Sequence, residues 1–328
     1  MKRALISAVI VIFLSPIYAA TGSAQGPVSM GIEEEKVSFD LGADVGSLSG
    51  YTRYNIKFPI NETSNGLLVL EGESELEFPI DSYIGGLTAS LGKRGHWSLG
   101  LSIFKNMTED TGKTTDIDLL TVQDQKTGEI ERGWIIYSES DTDMDAFLMD
   151  LTGKFYIIKR AKTSLGLVAG YRYQSFSFEV SNVAQEDAWG GYIFVPGKAA
   201  TYDITYSVPC GGIAFDIRPS GRFSMNLSAA YGWAFAEDED DHILRSKRST
   251  SKADGPFYSL KAEGRLSLSS RLYLLTAFEY LKIDTDGTQN QTWYATTSEA
   301  PAGTTYSGID YRAVSEQLYL WVGMRYTF

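Results

Sequence analysis

The sequence predicts an all-β protein: a ten-stranded antiparallel up-and-down β-barrel that crosses a membrane. Three observations predict it. Segment after segment alternates large apolar residues with small or polar ones, the period of two of a strand with one greasy and one wet face. Short turns alternate strictly with long polar segments. The faces opposite the apolar ones carry charge in places, as in Lys261, Glu263 and Arg265, which suits a wet lumen better than the dry core of a soluble sandwich.

Each element follows in order. Met1-Lys2-Arg3, an apolar run from Ala4 to Leu14 and the small residues Gly22-Ser23-Ala24 read as a secretory signal over residues 1–24, too short to span a bilayer as a helix. Residues 25–35 read as a periplasmic N-terminal segment, and 36–328 as the barrel with long extracellular loops. Val37, Phe39, Leu41, Ala43 and Val45 form the first apolar face. A return strand spans about 75–91, with Pro79 suggesting a bulge. After the turn at Gly92-Lys93-Arg94-Gly95, Trp97, Leu99, Leu101 and Ile103 alternate. A long polar segment, about 108–142, reads as a loop. Phe147, Met149, Leu151, Phe155 and Ile157 resume the pattern, and Lys159-Arg160-Ala161-Lys162 turns the chain. Leu165, Leu167, Ala169, Tyr171 and Tyr173 follow, with a parity slip expected before Phe176 and Phe178. Tyr202, Ile204, Tyr206 and Val208 alternate again. Phe223 to Phe235 is a strand whose odd positions are large and apolar, and a polar loop is expected from its acidic end to about Gly255. Tyr258 to Leu268, Leu272 to Tyr280 and Leu318 to Phe328 complete the set. Short turns belong in the periplasm and long loops outside the cell.

Composition narrows the partners. The net charge is −12, and the leader carries only basic residues, so the mature chain is more acidic still. That excludes nucleic acid as a natural partner and favours basic ones through steering. Cys210 is the only cysteine and reads as a packing residue, so no internal disulfide is possible. A secreted chain of this length without disulfides points to a bacterial envelope protein. No zinc-type Cys/His spacing and no phosphate loop is present, and no metal or cofactor is expected.

The chemistry gathers at Glu237-Asp238-Glu239-Asp240-Asp241-His242. If the pleat of the preceding strand continues, Asp238, Asp240 and His242 lie on the wet face, at the outer rim. A carboxylate beside an imidazole fixes its tautomer and raises its basicity, as a general base requires. From Gly100 the even positions face the lumen, and that series reaches Asp116 and Asp118 in Asp-x-Asp; one bulge would invert the count. Two carboxylates facing an Asp–His pair can position a water for attack on a peptide carbonyl. The other histidine, His96, lies by a periplasmic turn beside Trp97 and reads as an interfacial surface residue.

Several motifs occur together and in one order. They are Leu48-Ser49-Gly50-Tyr51-Thr52, Leu165-Gly166-Leu167-Val168-Ala169-Gly170-Tyr171, Gly232-Trp233 with the acidic run, His242 and Lys247-Arg248, and the terminal Tyr326-Thr327-Phe328. In these the chain resembles the omptins, outer-membrane proteases with an Asp–His dyad facing an Asp–Asp couple. The resemblance implies an endopeptidase that activates water and forms no acyl-enzyme. His242 would be the base, Asp240 would orient it, and Asp116 and Asp118 would bind or polarise the water. It also implies cleavage next to basic residues, through an aspartate and a glutamate in the substrate pocket. Asp238 matches the aspartate, but Tyr54 stands where the glutamate belongs, which should weaken that selection. Omptins require lipopolysaccharide. Of the residues that grip it, Tyr171 is kept, while Tyr173, Ser175, Thr205 and Pro256 replace the others. A lipopolysaccharide requirement, peptide substrates and a monomer at the cell surface are the expectations from this resemblance. The competing expectation is a catalytically inactive barrel of the same type, an adhesin or surface binder. A small pore ranks last, because a lumen of about ten strands is mostly filled by side chains.

Overall fold

The computed structural model describes residues 37–64, 67–93 and 96–328. The expected leader and periplasmic segment lie outside the described residues. Among the described residues, twelve strands form one antiparallel sheet. They are β1 (Val37–Ser64), β2 (Leu67–Pro79), β3 (Ser82–Lys93), β4 (Trp97–Asn106), β5 (Asp110–Asp124), β6 (Ile130–Lys159), β7 (Thr163–Asp187), β8 (Tyr192–Ile217), β9 (Phe223–His242), β10 (Lys247–Ser267), β11 (Leu272–Trp293) and β12 (Thr305–Thr327). β12 pairs with β1 from Asp40↔Thr327 to Lys57↔Asp310, so the sheet closes on itself as a barrel and leaves no open edge there.

Twelve strands replace the expected ten because two staves of the barrel are interrupted. β2 and β3 run along the same side of β1, with a break at Ile80-Asp81 just after Pro79, which has no amide hydrogen for the ladder. β4 and β5 likewise share β6, with a break at residues 107–109. The break after β2 is held by β1. Ile80 N donates to Gly50 O at 3.1 Å, and Gly50 N donates to Asp81 Oδ1 at 3.0 Å. Gly50 has φ +132°, a backbone conformation that a side chain would strain. The Leu-Ser-Gly motif therefore marks the joint where β1 passes from pairing with β3 to pairing with β2.

Short turns join the strands at the end beside Val37 and Thr327, as at residues 160–162 and 218–222; the turn expected at 92–95 lies partly outside the described residues. At the other end the expected long loops are mostly strand. β5 and β6 occupy most of 108–142, and β10 starts at Lys247, with four residues between it and the end of β9. Polar composition there does not end the ladder, because backbone pairing continues wherever the partner strand also continues.

The apolar face changes sides along the barrel. Near the termini it points outward, with Phe39, Leu41, Leu99, Leu101, Leu167, Leu260 and Met324 exposed in a band that faces lipid. Among the described residues no helix is long enough and apolar enough to cross a membrane; the strands cross it. In the upper half many of the apolar residues point inward. Phe176, Phe178, Tyr202, Ile204, Tyr206 and Val208 are all buried. The expected parity slip before Phe176 therefore does not occur: β7 and β8 pair unbroken from Thr163↔Ile217 to Val180↔Ala200. Outside lipid the wall needs a polar outer face, and the lumen supplies the dry space. Phe78 stacks on Tyr202 with ring centroids 4.5 Å apart, and Phe178 packs on Phe78 at 5.0 Å, closing the lumen beneath the upper mouth. Lower down the lumen is polar, as expected. Arg172 bridges Asp150 and Glu279, and Lys261 pairs with Glu263 at 3.6 Å.

Candidate active site

β9 carries three of the expected residues at the upper mouth. It pairs with β10 without a bulge from Phe223↔Leu266 to His242↔Lys247, so the pleat carries through the acidic run. Glu237 and Glu239 point outward, while Asp238 and Asp240 are buried on the inner face. His242 Nε2 lies 2.9 Å from Asp240 Oδ2. The same oxygen accepts a hydrogen bond from the Tyr54 hydroxyl of β1. With Nε2 held by the carboxylate, Nδ1 is the ring nitrogen left to take a proton. Burial opposes the charge on Asp240. The charge and hydrogen bond of His242, the Tyr54 bond and the Lys247 charge outweigh it and hold this carboxyl below its ordinary value.

The second acidic pair comes from β5. Asp116 sits opposite Leu76 and Ser138, and Asp118 opposite Ser74, so both face the lumen as expected. The parity count from Gly100 holds because two irregularities cancel. The break at 107–109 turns Asp110 outward beside Asp143, and the bulge between Asp110 and Gly112 turns the following residues back. Ser74 Oγ donates to Asp116 Oδ1 at 3.4 Å. Burial first, then the adjacent Asp118 charge, push the Asp116 carboxyl up to about 7. His242 and Arg245 oppose that rise, so the field of the histidine side reaches the couple across the mouth. Near neutral pH the couple can therefore hold a proton while Asp240 stays ionised.

Asp238 and Tyr54 do not form an open pocket. Asp238 accepts hydrogen bonds from Tyr311 and, at 3.4 Å, from Tyr202. Burial pushes its carboxyl up to about 6. Tyr54 is buried among these rings, with centroids 5.2 Å from Tyr202 and 5.8 Å from Tyr311. Tyr171 faces outward, half-exposed, its hydroxyl 3.1 Å from Ser207 Oγ. Thr205 pairs with Ser175 on one side and Glu237 on the other, so none of these three positions supplies a cation.

Sequence reasoning missed two cations at the mouth. A single 3-10 turn, Ile243–Arg245, brings the chain back sharply enough for Lys247 to pair with His242. Lys247 is buried over the Trp293 ring, 5.8 Å from its centroid. Burial and the Arg245 charge lower its amine to about 8. Arg245 forks onto Glu299 at 2.7 and 2.9 Å, and its charge also acts on Asp116 and Asp118. Lys247 was visible as part of a motif, but nothing local showed that it turns inward. Among the described residues, no group of three or more His, Cys, Asp or Glu side chains is arranged to hold a metal ion.

Compared by sequence alone, no curated protein matches the chain. Among solved structures, the outer membrane protease OmpT from Escherichia coli is 18% identical, with a TM-score of 0.68 over 89% of this chain and 97% of that one. The outer membrane protein OprG from Pseudomonas aeruginosa is 11% identical over 89% of this chain and 95% of its own, with a TM-score of only 0.32. The profile of the omptin family matches residues 74–328. With that match covering most of the sequence and the barrel in agreement, the chain belongs to the omptin family of outer-membrane β-barrels.

Proposed function

We propose that the chain is an outer-membrane endopeptidase of the omptin type, with its site at the extracellular mouth. The observation that carries this reading is the His242–Asp240 pair at 2.9 Å, opposite the Asp116–Asp118 couple, in which burial and the Asp118 charge push Asp116 up to about 7. A water held by Asp116 and Asp118 gives a proton to His242 Nδ1 and attacks the peptide carbonyl. Asp240 holds the imidazole by Nε2 and stabilises it once charged. The tetrahedral intermediate then collapses: the C–N bond breaks and His242 returns its proton to the leaving amine. Lys247 and Arg245 supply positive charge beside the reacting oxygen. Basic peptides are favoured by the net charge of −12. Asp238, engaged by two phenols, adds little local selection.

His242→Ala and Asp240→Ala should each lower kcat/KM for peptide cleavage by roughly 10²–10⁴-fold. Both should leave the barrel folded, as judged by its heat-modifiable migration on gels. Unchanged cleavage by His242→Ala would falsify the assignment of the base. The closed pocket at Asp238 is the observation that favours the second reading, a non-catalytic surface binder. Protein refolded with and without lipopolysaccharide, given a peptide library and cleaving nothing in either state, would establish that reading instead.

A further inference from the structure

Tyr54 occupies a position that the family resemblance assigns to substrate recognition, yet its contacts are with the site itself. β1 and β9 lie four strands apart around the wall, so the side chain reaches Asp240 across the lumen. Its ring is almost wholly buried, 1% exposed, and fixed by Phe78, Tyr202 and Tyr311. Its hydroxyl donates to Asp240 Oδ2, the oxygen that also holds His242 Nε2.

We infer that Tyr54 is a positioning residue for His242, acting through the Asp240 oxygen that the two share. The inference rests on the proposed function, but its geometry can be tested without turnover. A buried carboxylate on a strand end can rotate about its terminal torsion. A second donor arriving from the opposite wall removes that freedom and fixes where the imidazole points. The donor also stabilises the ionised carboxylate and draws charge from it, which weakens its grip on an imidazolium. The titratable groups around Asp240 are Tyr54 from β1, Asp116 from β5, Tyr202 from β8, Asp238 and His242 from its own strand, and Lys247 from β10. Of these, Tyr54 and His242 share its Oδ2.

The chain has only two histidines, so an NMR titration of labelled imidazoles resolves His242 once His242→Ala identifies its signal. Tyr54→Phe keeps the ring and removes the donor. It should raise the His242 titration midpoint by roughly half a unit or more. It should also lower kcat about tenfold, with KM changed less than about threefold. The control is Tyr206→Phe, which removes a buried phenol bonded to Thr52 Oγ1 at 2.9 Å in the same cluster. Its midpoint and kcat should stay at wild-type values. Should Tyr54→Phe fail to fold, Tyr54→3-fluorotyrosine supplies a stronger donor and should move the midpoint down. A folded Tyr54→Phe with an unmoved His242 midpoint, or equal shifts from Tyr54→Phe and Tyr206→Phe, would overturn the inference. A wild-type protein that cleaves nothing but shows the predicted shift supports the positioning role and defeats only the proposed function.

Discussion

Asp116, half-buried, and Asp240, fully buried, sit at the same mouth, and their surroundings drive their acidities in opposite directions. Burial and the Asp118 charge lift Asp116 to about 7. At Asp240 burial pulls the same way, but His242, Tyr54 and Lys247 prevail and hold it low. The consequences for stability differ in sign. The folded pKa of Asp116 lies above its ordinary 3.8, so its contribution is full below about pH 4 and is lost as the pH rises toward 7. Asp240 contributes above about 3.8 and loses that contribution as pH falls through its lowered value. Asp116→Asn should therefore stabilise the barrel at pH 8 by about 1–2 kcal/mol and give no gain near pH 4. Urea unfolding at the two pH values measures this, and an equal effect at both would contradict the raised pKa. The same change should cost roughly 10²-fold in cleavage. The residue types and their inward faces were legible in the sequence. The opposite shifts were not, because they depend on burial and on partners brought together from β1, β9, β10 and the turn before β10.

β9 and β5 show how far local pattern carries at the scale of an element. β9 has an unbroken pleat, so counting by twos places Asp238, Asp240 and His242 correctly. β5 has two irregularities upstream, and the same count succeeds only because they cancel. β1 depends on Gly50, whose φ of +132° and pair of bonds to Ile80 and Asp81 let one strand serve two partners. The motif around Gly50 was visible, but its role as a joint was not, since the break in the neighbouring strand lies thirty residues on. Gly50→Ala should cost about 1–3 kcal/mol in urea unfolding. An unchanged midpoint would mean that the joint tolerates a side chain and carries no strain.

The whole molecule is one sheet whose apolar face is outside in lipid and inside above it. That inversion lets a continuous set of strands be a membrane anchor at one end and a packed polar-walled platform at the other. The aromatic plug of Tyr54, Phe78, Phe178 and Tyr202 closes the lumen under the site, which argues against an open pore. The chain carries a net charge of −12, so the attraction it exerts on a cationic peptide is long-range and screened by salt. Raising salt from about 20 to about 200 mM should lower kcat/KM for a cationic peptide roughly three- to tenfold and leave kcat unchanged. An equal loss for a neutral peptide would show that salt acts on the barrel and not on encounter.

The sequence by itself determined the strand period, the positions of the short turns, the barrel class and the inward Asp-x-His set. These are properties of neighbouring residues, and a strand's alternation is local. Only the tertiary structure decided that Tyr54 meets Asp240 across the lumen, that Lys247 turns in beside His242, and that the polar segments remain strand. Those facts depend on which strand pairs with which and at what stagger around a closed sheet, which no stretch of sequence encodes alone.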